Sequence, residues 1–348
     1  MNDIAPQQCD SDLRNAALLP RKWLILLVLL GLHVATAWSA TASEPVPADV
    51  DDSLFASPTT RDHIGRVVVP VRINGRGPFR FIVDTGANHS TISPELAKAL
   101  QLETDTGPLM VLDGITGADQ VSYVSIDRLQ AGDMTIDDTT LPVVPTSIMA
   151  GADGILGAAG MSQKSLLIDF QRNRVAITSH IDPRTRDRAV KIRAARVANG
   201  LIVLDTMVGR VHAHAVLDTG AERTLGNLAL RDAVRSQKRP KRGFVAQVTS
   251  VYGATKEVEP GEIMEAPTIS IASLRITDVS IVYGDFHIFK IWDMQNEPAM
   301  ILGMDVLGTV ASLNIDFKNQ TVYVGNVPAQ QDVLVSTHEL SGIQSQRK

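Results

Sequence analysis

The 348 residues predict an all-β protein of two similar lobes that face each other across a cleft. Three observations carry that prediction. Residues 67–86, VVVPVRINGRGPFRFIVDTG, align without a gap onto residues 201–220, LIVLDTMVGRVHAHAVLDTG, and each copy reads as strand, turn, strand, ending on Asp-Thr-Gly. Residues 155–170, ILGAAGMSQKSLLIDF, match residues 301–317, ILGMDVLGTVASLNIDF, with one extra residue in the second copy. The stretch between these landmarks is strand-like and punctuated by glycine turns in both halves. Two copies are too few for a solenoid, which needs three or more stacked units, so a pair of facing lobes is the natural arrangement.

Along the chain, Arg21 and Lys22 precede a nearly unbroken apolar run, Trp23 to Ala37, followed by Ala40-Thr41-Ala42. This is the layout of an export signal. Extended to Ala40, the run just reaches the lower edge of what crosses a bilayer, so residues 1–42 read as a cleaved signal peptide or a retained N-terminal membrane anchor. The positive flank keeps the N-terminus inside and sends the body out in both cases, which predicts a periplasmic or otherwise extracytoplasmic location. The only cysteine, Cys9, precedes this segment, so the exported body has neither a disulfide nor a thiol nucleophile. Residues 43–62 are acidic, proline-bearing and aperiodic, and read as a linker.

The first lobe then spans residues 63–181. Its opening hairpin turns at Gly75-Arg76, and SPELAKAL at Ser93 to Leu100 is a short helix with a serine cap and proline at the first helical position. Gly114-Ile115-Thr116-Gly117 reads as a hairpin tip. Residues 182–196, DPRTRDRAVKIRAAR, are basic, lack a clear apolar stripe and read as a linker or solvated edge. The second lobe spans 197–327, turning at Gly209-Arg210, with a less well capped helix at Asn227 to Val234 and a second tip at Gly253-Ala254-Thr255. Asp169 and Asp316 stand further apart in the chain than Asp84 and Asp218 do, so the second copy is the longer one; the extra length is expected between Thr255 and Pro298. Residues 328–348 read as a C-terminal tail.

Composition narrows the function. A hydrophobic content of 44% suits ordinary globular cores, and a formal net charge of −5 argues against a chain built to hold nucleic acid or to coat an anionic membrane. Several local patterns have bland readings. His212 and His214 alternate on one face of a strand, but their first-copy counterparts, Pro78 and Arg80, are not ligands, so surface histidines are expected rather than a metal site. Ser162 and Ser165 near Lys164 lack the spacing of a Ser-Lys catalytic unit. The glycines at 151, 154, 157 and 160 do not form a phosphate-cradling loop. Arg231 to Arg242, RDAVRSQKRPKR, reads as a solvated helix end and loop.

The duplicated Asp-Thr-Gly carries the chemistry. A strand ending in this triplet aims a carboxylate, the glycine lets the backbone turn and approach a partner closely, and the threonine hydroxyl ties the turn down. Related by a pseudo-two-fold axis, the two turns would bring two carboxylates within a few ångströms, where they cannot both ionise and must share a proton. Such a dyad is an acid and a base side by side.

Ile82 to Ala87 and Val216 to Ala221, each hydrophobic-hydrophobic-Asp-Thr-Gly-Ala, with Ile155-Leu156-Gly157 and Ile301-Leu302-Gly303, resemble the retropepsin-like aspartic proteases over most of residues 64–326. The resemblance implies two retropepsin-like acid-protease lobes fused in one chain, a pseudo-dimer with the layout of pepsin and motifs of retroviral type. It implies an aspartic endopeptidase with Asp84 and Asp218 as the catalytic pair, Thr85 and Thr219 as braces, and Gly86 and Gly220 as the residues that give the backbone room. Gly114, Ile115 and Thr116, with Gly253, Ala254 and Thr255, would be flaps over the substrate. The expected partner is a polypeptide substrate. No cofactor, metal or nucleic acid is called for, and a monomer suffices because a homodimer would be superfluous for building the dyad. Ala87 and Ala221 stand where pepsin-like relatives commonly carry a hydroxyl that lowers the carboxylate pKa, which points to a mildly acidic optimum. The competing reading is a non-catalytic peptide-binding module on the same fold.

Overall fold

The computed structural model describes residues 57–58, 65–104, 107–187, 189–197, 200–237, 247–325 and 333–336. The expected signal or anchor (1–42) and Cys9 lie outside them, as do most of the 43–62 linker, the end of the Arg231–Arg242 run and most of the 328–348 tail. Strands dominate, and the two repeats each build a lobe, so the all-β, two-lobe architecture is present.

The segment ahead of the first repeat holds β1 (Ser57–Pro58), and the first repeat supplies β2 (Val68–Ile73), β3 (Arg76–Val83), β4 (Thr91–Ile92), α1 (Pro94–Ala99), β5 (Met110–Asp113), β6 (Ala118–Val121), β7 (Tyr123–Ala131), β8 (Met134–Pro142), β9 (Gly154–Leu156), β10 (Ser165–Asp169) and β11 (Arg174–Thr178). The connecting basic residues hold α2 (Pro183–Asp187), β12 (Ala189–Arg193) and β13 (Ala195–Arg196). The second repeat supplies β14 (Ile202–Val208), β15 (Val211–Leu217), β16 (Leu225–Gly226), α3 (Leu228–Gln237), β17 (Gln247–Tyr252), β18 (Val258–Glu265), β19 (Ile269–Ile271), β20 (Leu274–Thr277), β21 (Ser280–Tyr283), α4 (His287–Ile291), β22 (Ala299–Leu302), α5 (Met304–Leu307), β23 (Ser312–Asp316) and β24 (Thr321–Gly325), with β25 (Val333–Ser336) beyond it.

Local chemistry explains the elements. Asn74 and Gly75, both at positive φ (48° and 74°), make the tight turn between β2 and β3, a conformation that Asn-Gly adopts at low cost. Ser93 caps α1 by accepting from the Leu96 amide at 3.1 Å, with Pro94 at the first helical position as its fixed φ favours. The cap of α3 is better than its sequence suggests. Buried Asn227 accepts from the Leu230 amide (2.8 Å) and also donates to the carbonyls of Met294 (2.7 Å) and Glu297 (2.6 Å), so one side chain starts the helix and pins the chain that follows α4.

Each lobe has its own sheet. The first runs in the order β4-β9-β3-β2-β7-β8, with β5 and β6 as a separate hairpin; the second has eleven strands along the path β17-β18-β21-β16-β22-β15-β14-β19-β20-β25, with β13 beside β14. A third sheet belongs to both lobes: β1-β11-β10-β23-β24-β12. Its centre is the antiparallel pairing of β10 with β23, Leu167 opposite Asn314, so the matched ends of the repeats hydrogen-bond to each other. Leu166, Ile168, Leu313, Ile315, Val322 and Val324 from these strands are buried in one apolar core shared by the lobes. Thus the run at 182–196 contributes an edge strand, β12 on β24, rather than only a tether.

The extra length of the second repeat is distributed differently from the expectation. Tyr283 and Val143 hold equivalent pairings, yet the chain from Tyr283 to Ile301 is longer than that from Val143 to Ile155; α4 fills the difference. Tyr252 also falls further beyond Asp218 than Asp113 does beyond Asp84. A further portion therefore enters ahead of the second tip, where α3 has ten residues against six in α1.

Candidate active site

The two Asp-Thr-Gly turns meet between the lobes. β3 and β15 run parallel to β9 and β22, and the amides of Asp84 and Asp218 donate to the carbonyls of Leu156 (3.0 Å) and Leu302 (3.1 Å) of the Ile-Leu-Gly segments. This fixes where each strand ends and each turn begins. The turns then brace one another. Thr85 Oγ1 donates to the Leu217 carbonyl (2.7 Å) and accepts from the Thr219 amide (3.1 Å), while Thr219 Oγ1 donates to the Val83 carbonyl (2.7 Å) and accepts from the Thr85 amide (3.2 Å). Both threonines are buried, 1% and 0% exposed, so these four bonds are shielded from water's competition.

The carboxylates are held with the same symmetry. Asp84 Oδ1 accepts from the amides of Gly86 and Ala87 (2.9 Å each), and Asp218 Oδ1 accepts from those of Gly220 (2.8 Å) and Ala221 (3.0 Å). A Cβ at Gly86 would collide with the Asp218 carboxylate, and one at Gly220 with that of Asp84. The glycines are required here for close approach. Gly157 and Gly303 back the two turns: a Cβ on either would strike the backbone of His89 or Arg223.

Asp84 and Asp218 hydrogen-bond each other. Burial pushes both carboxyl groups above the usual carboxylate range. For Asp218 the charge of Asp84 adds to the rise. For Asp84 the rise is opposed by the hydrogen bond from Asp218, by its two backbone donors and by the charge of Arg66. The two carboxyl groups therefore behave as one pair, close enough that a single proton is shared between them.

The sequence pattern does not reveal Arg66. It is buried and donates from Nη1 to the Ile148 carbonyl (3.2 Å); its counterpart in the second repeat is Gly200, so the charge exists on one side only. Asp305 is a second residue that the pattern misses. Its carboxylate accepts from the Thr224 amide (3.0 Å) and Thr224 Oγ1 (2.7 Å), tying the Asp218 turn to α5, and burial raises its carboxyl. The first repeat has Ala159 at that place; the bond from the Gly157 amide to Ser90 Oγ (3.2 Å) is matched by that from the Gly303 amide to Thr224 Oγ1 (3.2 Å), so it is the tie through the acid that has no counterpart. An acid directly after Ile-Leu-Gly-Met is the available signal.

Both expected flap segments are hairpin tips. Gly114, Ile115 and Thr116 lie between β5 and β6; Gly253, Ala254 and Thr255 lie between β17 and β18. The tips interlock: the hydroxyls of Thr116 and Thr255 are 3.1 Å apart and both residues are buried, and the Lys256 amide donates to Asp119 (3.0 Å). Ile115 packs on the apolar cluster of the second lobe that holds Ala221, Val251, Phe286 and Ile288, and His287 Nε2 sits 3.0 Å from Asp113 Oδ1. The first tip thus rests on α4. Elsewhere, His212 and His214 lie 3.7 and 3.6 Å from the exposed Asp205, and Ser165 donates to Asn314 (2.5 Å) inside the shared sheet.

Two aspartates on mutually braced turns, related by a pseudo-two-fold between all-β lobes, define the layout of an aspartic protease. An aspartyl protease family model matches residues 69–159 and 204–306, more than half the chain, and the protein belongs to that family in its retropepsin-like, tandem form. Among curated proteins no match is found.

Proposed function

We propose that the protein is an aspartic endopeptidase that acts on exported polypeptides, with Asp84 and Asp218 as its catalytic pair. The observation that carries this reading is the pair of buried, mutually interacting carboxyl groups at the centre of the reciprocal threonine brace. In the singly ionised dyad, Asp84 draws a proton from a water molecule as that water attacks the scissile carbonyl. Asp218 gives its proton to the carbonyl oxygen, and the resulting tetrahedral intermediate collapses with proton transfer to the leaving amine. The proton count balances over the cycle without a covalent enzyme intermediate. The two flap tips touch each other, and in this reading they cover the dyad and part to admit an extended peptide.

The exported setting rests on Arg21-Lys22 and the apolar run Trp23 to Ala37. Among the described residues no helix is long and apolar enough to cross a membrane. N-terminal sequencing of the mature protein distinguishes a cleaved signal from a retained anchor.

Incubation of the full chain with casein, with and without pepstatin, tests the activity. Pepstatin-sensitive cleavage supports the endopeptidase. Casein binding without cleavage would replace it with the non-catalytic peptide-binding module.

A further inference from the structure

The polar face of the shared sheet carries a second feature, on different strands from the dyad. In register, Lys191 and Arg193 of β12 stand beside Tyr323 and Thr321 of β24, which stand beside Asn314 and Asp316 of β23. The alternate residues Ile192, Val322 and Val324 point into the core, so the cations share the outer face. Two adjoining cavities open there. One, of about 460 Å³, is lined by Arg186, Lys191, Arg193, Asn319, Thr321 and Tyr323. The other, of about 250 Å³, shares Arg186 and Asn319 and adds Lys164, Lys318 and His180.

Asp316 is the sole acid lining either cavity. It is buried, and both its oxygens are taken by Asn319, from the backbone amide (3.0 Å) and the carboxamide (2.7 Å). Among the described residues none of Lys164, Arg186, Lys191, Arg193 and Lys318 has an ion-pair partner; Lys164 donates to Ser179 Oγ (2.8 Å). In a chain of net charge −5, five such cations around two joined hollows repel one another, and a single carboxylate, Asp316, stands against them in the lining. A compact multiple anion supplies what is missing. Phosphate carries close to two negative charges at neutral pH and three equivalent acceptor oxygens, and the arginine forks match it two bonds at a time. The linings are polar apart from Ile181 and the ring of Tyr323, which does not suit an acidic peptide that must also bury side chains.

We propose that these cavities bind a phosphate group, either a free phosphate compound or the headgroup of an anionic phospholipid. Lys164 comes from the first repeat, Lys318 from the second and the other three from the connector, so the bound anion bridges the lobes across their common sheet.

Hydrogen exchange of the full chain, followed by mass spectrometry over residues 183–193 and 318–324, tests this. Inorganic pyrophosphate is titrated against sodium chloride at matched ionic strength, and in a second arm the chain is reconstituted into phosphatidylcholine vesicles with and without phosphatidylglycerol. Protection by pyrophosphate beyond the chloride control identifies a free phosphate ligand; protection only with phosphatidylglycerol identifies a headgroup. The variant Arg186→Ala/Lys191→Ala/Arg193→Ala, with all three changes on exposed side chains, is expected to weaken the protective interaction at least tenfold while leaving casein cleavage unchanged. Equal protection by chloride and pyrophosphate together with no effect of phosphatidylglycerol overturns the proposal, as does undiminished protection in the triple variant.

Discussion

The two lobes agree where the chain turns on its aspartates and in the segments that back those turns, and they differ at a few places around them. Thr85 and Thr219 make the same four bonds, and Gly86 and Gly220 allow the same approach, yet Arg66 faces one aspartate where Gly200 is the counterpart on the other side. Asp305 anchors one turn where Ala159 sits behind the other, and α4 in the second lobe receives the flap of the first. Symmetry positions the carboxyl groups face to face. Asymmetry, through the charge of Arg66 on Asp84, makes the two carboxyl groups inequivalent, and the proposed reaction uses one as base and the other as acid.

The strongest way to break the comparison is to neutralise each aspartate in turn. Asp84→Asn and Asp218→Asn are each expected to lower casein cleavage by ~10²–10⁴-fold or more while circular dichroism stays native; a variant that kept its activity would mean that a single carboxylate suffices. Asp218→Asn has a second consequence. Its carboxyl is raised on folding, so the folded state keeps a proton that the unfolded chain releases. That contribution is whole below the ordinary value of 3.8 and is lost as pH climbs through the raised one. The asparagine variant should therefore melt higher than the parent at pH 7 and at the same temperature near pH 3.

Next in size is Gly86→Ala, which drives a methyl group into the Asp218 carboxylate. Overpacking of this kind costs about 1–3 kcal/mol, and activity should vanish with it, as urea denaturation and casein assays would show. Thr85→Val leaves the buried Leu217 carbonyl and Thr219 amide without their partner, at about 1–3 kcal/mol by the same denaturation measurement; Thr219→Val should match it if the brace is truly reciprocal. Arg66→Ala sharpens the contrast between the lobes. Without that charge the ionised form of Asp84 loses support, and the acid limb of the activity profile should move to higher pH. The smallest effect is expected at the flap: Asp113→Asn weakens the contact to His287 and should change KM more than kcat.

What can be read in the sequence follows from how local the signals are. The repeats, the strand that ends on each aspartate and both glycine tips are coded by adjacent residues, and all of them stand in the structure. The sequence undervalues the cap on α3 because Asn227 draws most of its worth from Met294 and Glu297, far along the chain. Arg66 precedes the aligned segment and acts on Asp84 through space, and His287 meets Asp113 from the opposite repeat. A one-dimensional pattern carries no trace of such pairings. The length difference is visible as a total, but its placement is not, since α3 outgrows its counterpart α1, ten residues against six, and the segment that holds α4 is longer than its first-lobe counterpart.

A kcat/KM profile against pH, recorded on a single peptide for the parent and for Arg66→Ala, tests the shared proton most directly. The expected result is a bell with a mildly acidic maximum, whose rising limb moves to higher pH when Arg66 is removed. One ionisation with no falling limb, or a maximum below roughly pH 3, would contradict a pair that is active only when half ionised.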